Sequence, residues 1–245
     1  MTKIIDIHSH IGKDIDVEVT CKELIEIMNK YKVDMAVISP LGKGLIHKFK
    51  QSNEQIIQCV EENKDRLIGF CSVNPWFEDA VEELEKRITK DKCKGLVLHP
   101  TKQGFHINSP LIYPLMEECQ SLEIPIYFHT GTSMYDLPLD LSLLATKFPK
   151  VAMIMGQMGT ADYWMDVEPA AKLASNLAVE TSVNPNIALI QKLVKSIGAE
   201  RIVFGSGVPF TDLEYEIKKI ELCNFTARDK ELIMFQNASR LLGAG

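Results

Sequence analysis

The stretch Lys3-Ile-Ile-Asp-Ile-His-Ser-His10 lies at the start of the chain, and the prediction of the fold begins from it. The apolar run before the histidines is typical of a β-strand, which we place at residues 4–8. Residues i and i+2 of a strand point to the same side. We therefore predict that His8 and His10 bind one metal ion together, because imidazole is a common metal ligand. The alternative is a pair of polar residues that end an edge strand.

The composition limits the possible function classes. Of the 245 residues, 46% are hydrophobic and 24% are charged, as in an ordinary globular protein. A net charge of −6 and a pI near 5.6 argue against a nucleic-acid partner, which would need a basic face. No apolar run approaches the roughly 18–20 residues that cross a bilayer, and no signal peptide is recognisable. We expect a cytoplasmic protein with no membrane partner.

The cysteines give no sign of a metal site or a disulfide framework, because no two of them form a C-x-x-C pair. We expect reduced, mostly buried thiols, as in other cytoplasmic proteins. The six positions are Cys21, Cys59, Cys71, Cys93, Cys119 and Cys223.

Short apolar runs rich in β-branched residues alternate with longer stretches of helical periodicity. The predicted strands cover residues 4–8, 33–39, 67–73, 95–99, 124–129, 151–157, 177–182 and 202–206. The predicted helices include residues 20–31, 77–90, 186–197 and 212–222, with a final helix over 227–242.

This alternation predicts an α/β fold with a parallel sheet and right-handed crossovers. Eight strand–helix units in about 250 residues favour a single (β/α)8 TIM barrel, with residues 1–245 as one domain. A doubly wound open sheet is the alternative. It would require a glycine fingerprint after the first strand, where the chain instead has His8-Ser-His-Ile-Gly12.

Four of the six histidines end predicted strands, which is where barrel enzymes carry their chemistry. His8 and His10 end the first strand, His99 the fourth and His129 the fifth. His8, His10 and His129 would supply three imidazole ligands and leave a fourth position open, as in a catalytic zinc site. His99 is either a fourth ligand or substrate contact, or a hydrogen-bonded residue of the rim.

Six short motifs, which include these histidines, are spread along nearly the whole chain. They are Asp6-Ile-His-Ser-His10, Val73-Asn-Pro75, Gly95-Leu-Val-Leu-His-Pro100, Phe128-His-Thr-Gly131, Met155-Gly-Gln-Met-Gly159 and Phe204-Gly-Ser-Gly-Val-Pro209. With these motifs in this order, the chain resembles the amidohydrolase superfamily, in the amidohydrolase-related branch that contains aminocarboxymuconate-semialdehyde decarboxylase. The resemblance implies a metal-dependent barrel enzyme, usually with zinc and often dimeric, whose ligands would be His8, His10 and His129.

Two positions depart from the pattern that the resemblance implies. Gln157 stands where the family has a strand-six histidine, and Gly207 stands where it has a strand-eight aspartate. Glutamine cannot take up a proton near neutral pH, and glycine has no side chain. Glu180, on the seventh predicted strand, is our candidate for the missing proton-transfer group. Asp6 is a candidate partner that orients a ligand imidazole.

Two further acidic residues follow predicted strands but have simpler interpretations. Asp212 is placed like a helix N-cap, and Asp162 lies in a first helical turn.

Three functional hypotheses remain open on the sequence. The first is a metal-dependent hydrolase or non-oxidative decarboxylase acting on a small, anionic organic acid. Its predicted catalytic residues are Gln157, Glu180 and His99, and its predicted substrate-binding residues are His99, Gln157, Ser206 and Gly207. The second is a degenerate barrel that binds a ligand or partner without turnover. The third is an enzyme that uses the histidines as acid and base without a metal.

Overall fold

The strands lie in one curled sheet in the order β2-β1-β3-β4-β5-β6-β7-β8-β9. The computed structural model describes residues 3–160 and 162–243. The strands are β1 (Ile5–Lys13), β2 (Glu18–Val19), β3 (Met35–Pro40), β4 (Leu67–Ser72), β5 (Gly95–Leu98), β6 (Ile126–His129), β7 (Met153–Gly156), β8 (Leu177–Glu180) and β9 (Ile202–Val203). β2 pairs antiparallel with β1, and all other pairs are parallel.

Backbone hydrogen bonds join the two ends of the parallel sheet. The amide of His10 donates to the carbonyl of Val208 (2.9 Å), and the amide of Gly207 donates to the carbonyl of His8 (2.7 Å). Ser9 and Val208 form a parallel bridge. β1 therefore neighbours both β3 and the segment after β9, so that the sheet closes as in a TIM barrel. The predicted (β/α)8 architecture is confirmed, and the open-sheet alternative is wrong.

Helices connect the strands and cover the outside of the barrel. The α-helices are α1 (Cys21–Tyr31), α2 (Lys43–Ile46), α3 (Phe49–Glu62), α4 (Ala80–Thr89), α5 (Pro100–Gln103), α6 (Tyr113–Ser121), α7 (Pro138–Lys147), α8 (Val167–Leu173), α9 (Ile187–Ile197), α10 (Leu213–Leu222), α11 (Ala227–Glu231) and α12 (Asn237–Leu241). None of the described helices is long and apolar enough to cross a bilayer.

Alternate residues along each strand pack into two different apolar clusters. Val37, Val97 and Tyr127 belong to the cluster that fills the barrel, whereas their neighbours Ile38 and Phe128 pack outward against the helices. This period of two follows from the geometry of a strand. It also means that the residue two positions beyond an interior residue again faces the interior.

Strand β1 breaks this alternation with a β-bulge. Ile7 packs inside the barrel, and the register against β3 shifts between Asp6 and Ser9. One extra residue in this segment lets both Ile7 and His8 face inward, and His10 follows on the same side. Bulges of this kind re-aim side chains and are common beside active sites.

The structure differs from the predicted elements near the two ends of the chain. β1 extends to Lys13 and folds back on β2, a two-residue strand too short to give a sequence pattern. The first predicted helix begins as expected, with Thr20 as N-cap in a capping box with Glu23. The predicted final helix contains one π-helical stretch, Leu232–Gln236, between α11 and α12.

The prediction that all cysteines are reduced is wrong for two of them. Cys21, at the start of α1, and Cys59, in α3, form a disulfide with their Cα atoms 5.9 Å apart. Two adjacent helices bring together residues that are 38 positions apart, which the sequence spacing could not reveal. Cys71, Cys93, Cys119 and Cys223 are free and buried, as expected.

A buried ion pair on α10 supports the segment that follows β8. Lys219 Nζ lies 2.6 Å from Glu216 Oε2 and donates to the carbonyls of Thr181 (2.8 Å) and Asn184 (2.7 Å). Glu216 Oε1 accepts from the amide of Val183 (3.1 Å). Burial raises the pKa of Glu216 to about 7, although Lys219 opposes this rise.

We predict that Glu216→Gln removes a pH dependence of stability between pH 4.5 and 7. The folded pKa lies above the ordinary value of 4.5, so the folded protein binds more protons than the unfolded chain in this window. Stability should therefore fall as pH rises through it, by about 3 kcal/mol from this group. Urea unfolding of wild type and variant across the window measures the difference.

The control is Glu221→Gln, an exposed glutamate on the same helix that pairs with Lys218. The comparison is between the slopes of unfolding free energy against pH. Absolute stabilities are not compared, because removing the partner of Lys219 lowers stability in its own right. Equal slopes in wild type and Glu216→Gln would contradict the prediction.

Candidate metal centre

Three buried histidines meet at the carboxyl end of the barrel. His8 and His10 come from β1 beyond the bulge, and His129 ends β6, two residues after the interior residue Tyr127. One ring nitrogen of each lies within 4.8 Å of those of the other two. Among the described residues, no other group of three or more His, Cys, Asp or Glu side chains is placed to bind a metal ion.

The contacts of His8 and His10 assign the proton on each ring. His10 Nδ1 lies 3.2 Å from the carbonyl of Pro40 and 2.9 Å from Ser39 Oγ. A carbonyl can only accept, so we assign the proton to His10 Nδ1. His8 Nδ1 lies 3.3 Å from a Glu180 carboxylate oxygen, which likewise favours a proton on Nδ1.

The two Nε2 atoms then carry lone pairs and face each other at 3.0 Å. Burial, followed by the neighbouring His8, lowers the pKa of His10 well below the ordinary value, so the His10 ring is neutral. With each proton on Nδ1, both Nε2 lone pairs face one gap, where a single cation can bind them both. The donor chemistry therefore fits a divalent metal ion.

No hydrogen bond within the described part of the chain accounts for the buried ring nitrogens of His129. Both of its ring nitrogens are buried and lack a hydrogen-bond partner among the described residues. Its ring stacks on His99 (centroids 4.4 Å apart) and lies 5.5 Å from His10. Buried polar atoms are almost always hydrogen-bonded, so an unpaired imidazole at this point indicates a missing ligand contact.

Glu180 lies behind His8 and is fully buried. Its carboxylate accepts hydrogen bonds from Tyr127 Oη (2.7 Å), Ser182 Oγ (2.9 Å) and the amide of Gln157 (2.9 Å). Burial alone would raise the pKa of Glu180, but the hydrogen bonds and the nearby His8 keep it below its ordinary value. These contacts favour a role in orienting His8, and the proton-transfer role of Glu180 stays a prediction.

Asp6 binds the backbone around the site, not an imidazole ring. Its carboxylate accepts from the amide of His8 (3.0 Å), Ser9 Oγ (2.6 Å), and both the amide (2.8 Å) and Oγ (2.5 Å) of Ser206. Asp6 therefore ties the bulge of β1 to the segment after β9. Ser206, a predicted substrate-binding residue, donates a hydrogen bond from its hydroxyl group to Asp6 as part of this connection.

Gln157 begins a run of left-handed backbone that the sequence did not predict. Gln157, Met158, Gly159 and Thr160 have φ values of 66°, 44°, 66° and 43°. Asn184 Nδ2 stabilises the run by donating to the carbonyls of Met158 (3.3 Å) and Thr160 (2.6 Å). Strained backbone of this kind persists only where the surroundings hold it, and it concentrates at functional sites.

The side chain of Gln157 has an unpaired acceptor. Its Oε1 is buried and lacks a hydrogen-bond partner among the described residues. Gly207, the other departure from the family pattern, has a φ of 73°, and a Cβ there would lie 3.3 Å from Ser182 Oγ. An aspartate at position 207 would therefore be strained in this backbone.

The remaining histidines occupy different places. His99 follows β5 and caps α5, with Nδ1 accepting from the amide of Lys102 (3.4 Å). Burial, followed by the charge of Lys102, lowers the pKa of His99 to about 3, so its ring is neutral. Asp212 caps α10, as its simpler interpretation expected, and Asp162 is exposed.

Comparison with known proteins identifies relatives along most of the chain. A sequence profile described as Amidohydrolase matches residues 28–244. Gamma-resorcylate decarboxylase of Rhodococcus jostii is 22% identical over 257 aligned residues, which cover 82% of this chain and 78% of that protein. The 2-amino-3-carboxymuconate-6-semialdehyde decarboxylase of Dictyostelium discoideum is 28% identical over 43% of this chain and 32% of its own length.

Solved structures share the fold. The 2,6-dihydroxybenzoate decarboxylase from Rhizobium has a TM-score of 0.80 at 15% identity, over 100% of this chain and 99% of that one. Dihydroxybenzoic acid decarboxylase from Polaromonas, solved with manganese and the inhibitor 2-nitroresorcinol, has a TM-score of 0.80 at 16% identity, over 99% and 97% of the two chains.

We predict that Gly131→Ala disrupts this end of the barrel, whereas Gly104→Ala does not. Both glycines have positive φ (81° and 73°), so both substitutions carry a similar backbone cost. A Cβ at Gly131 would lie 2.1 Å from the backbone of Gly159, whereas nothing lies within 4 Å of one at Gly104. Gly131→Ala should cost about 1–3 kcal/mol more, measured by urea unfolding. Equal losses would contradict the close approach.

Proposed function

Because the chain belongs to the amidohydrolase family, we propose that residues 1–245 form one barrel domain that decarboxylates a small aromatic acid with the help of a divalent metal. His8, His10 and His129 would hold the metal. The observation that carries this proposal is the convergence of three buried imidazoles, with His8 Nε2 and His10 Nε2 3.0 Å apart beside a His129 ring that has no hydrogen-bond partner among the described residues. The decarboxylase names of the relatives favour this reaction over hydrolysis.

We propose zinc as the metal, because three imidazole nitrogens with an open position suit it. Manganese, which is present in the Polaromonas neighbour, is the alternative that the experiment below distinguishes. When bound, either ion would polarise an oxygen of the substrate carboxyl or phenol group. The cytoplasmic location and the homodimer stay predictions.

The residues of this chain would position the acid for loss of carbon dioxide. The bond between the carboxyl carbon and the ring breaks, its electron pair stays on the ring carbon, and that carbon takes a proton. No electron acceptor is needed. Gln157 Oε1 offers an acceptor for a substrate hydroxyl, and the neutral ring of His99, stacked on His129, forms part of the wall.

Four positioning residues would keep two of the ligand rings in place. Glu180 and Tyr127 hold His8 through Nδ1, and Ser39 and Pro40 hold His10 in the same way. Contacts behind a metal ligand typically contribute about 10–100-fold to metal affinity or activity.

The proposal predicts about one divalent metal ion per chain and metal-dependent release of carbon dioxide from a hydroxybenzoic acid. His129→Ala should lower metal affinity by more than about 100-fold, since even contacts behind the ligands reach that size. His106→Ala is the control, because His106 is exposed and packs on Tyr135 away from the cluster. Metal analysis, and turnover after chelation and reloading with zinc or manganese, are the measurements. Full activity after complete chelation would refute the proposal.

A degenerate barrel without turnover is the second candidate, and Gln157 and Gly207 favour it because neither carries a proton-transferring side chain. Under that hypothesis the wild type binds metal and aromatic acids but releases no carbon dioxide, and Gln157→His combined with Gly207→Asp restores turnover. Turnover by the wild type would exclude it.

A further inference from the structure

Three loops of the rim bring a lysine, an aspartate and a phenylalanine together beside the histidine cluster. Lys102 lies in α5, Asp14 follows β1, and Phe210 lies in the loop before α10. Lys102 Nζ forms an ion pair with Asp14 and lies 5.6 Å from the centroid of the Phe210 ring. The pair joins residues that are 88 positions apart.

The Phe210 ring connects this ion pair to the candidate metal centre. Its other neighbour is His10, in an edge-on contact with centroids 6.0 Å apart. The Lys102 ammonium and the His10 ring are therefore both neighbours of one phenyl ring. Phe210 itself is 50% exposed, so part of its side chain is accessible to a ligand at the mouth.

The ion pair between Lys102 and Asp14 is partly buried. Lys102 and Asp14 are only 28% and 21% exposed, so the pair is less hydrated than an ordinary surface pair. By contrast, Lys43 is exposed and lines a neighbouring cleft of about 690 Å³, which Asp14 borders and Lys102 does not.

We propose that Lys102 binds a second, non-reacting anionic group of the substrate, and that Asp14 occupies this position until the substrate displaces it. The Asp14 carboxylate marks where a ligand carboxylate can reach the ammonium with a charge-assisted hydrogen bond. The exposed part of Phe210 would contact the substrate ring, between its reacting carboxyl group and its second anionic group. The proposal rests on the proposed function, and it narrows the substrate class to aromatic acids with two acidic groups.

Substitutions of Lys102 and Asp14 should change dicarboxylate binding in opposite directions, which distinguishes this role from that of a structural ion pair. If Asp14 competes with the ligand for Lys102, Asp14→Asn strengthens dicarboxylate binding while Lys102→Gln weakens it. If the pair only holds the loops together, either substitution breaks the same contact and shifts binding in the same direction.

The experiment is calorimetric titration of metal-loaded and metal-free protein with benzoate and with the three isomeric benzenedicarboxylates. We expect the wild type to bind one dicarboxylate isomer about tenfold tighter than benzoate, the typical gain from one charge-assisted contact. Lys102→Gln should abolish this preference and leave benzoate binding unchanged. Asp14→Asn should strengthen dicarboxylate binding about threefold, because the internal pair is worth little. Lys43→Gln is the matched control and should resemble the wild type.

Three results would overturn the inference. The first is equal binding of benzoate and every dicarboxylate by the wild type. The second is a preference for a dicarboxylate over benzoate that survives Lys102→Gln, and the third is weaker dicarboxylate binding in Asp14→Asn. Metal content and carbon dioxide release are measured separately in the same preparations. If both persist while the preference is absent, the inference fails and the proposed function stands. If both are absent, the proposed function fails as well.

Discussion

The convergence of three buried imidazole rings on one gap is the constraint on which the account of this site depends. His8 Nε2 and His10 Nε2 face each other at 3.0 Å, and both Nδ1 atoms contact acceptors behind the rings. A divalent cation in this gap would bind both Nε2 atoms. His129 lies beside the gap, and both of its ring nitrogens lack a hydrogen-bond partner among the described residues.

The fold provides this geometry through two connections. The β1 bulge turns His8 and His10 into the barrel, and Asp6 fixes the bulge to Ser206. Behind His8, the Glu180 carboxylate accepts hydrogen bonds from Tyr127, Ser182 and the amide of Gln157. The rings of His8 and His10 therefore rest on a hydrogen-bonded layer. Such a layer keeps the rings rigid before any ion arrives, which lowers the cost of binding one.

The sequence predicted the elements and residues that follow from periodicity. Eight apolar runs indicated eight parallel strands, and the ends of these strands placed His8, His10, His99 and His129 at one rim of the barrel. The bulge of β1 could not be predicted, because one extra residue leaves no compositional trace. The Cys21–Cys59 disulfide and the Lys102–Asp14 pair arise from contacts across helices and loops. The left-handed run at Gln157 depends on Asn184, which is far away in the sequence.

The most direct test of the central claim is a crystal structure of the protein as purified, with anomalous diffraction collected on both sides of the zinc and manganese absorption edges. The account predicts one anomalous peak bound to a ring nitrogen of each of His8, His10 and His129, at about 2.0–2.1 Å if the ion is zinc. A fully ordered site without a peak after metal loading, or a peak that does not involve His129, would contradict it.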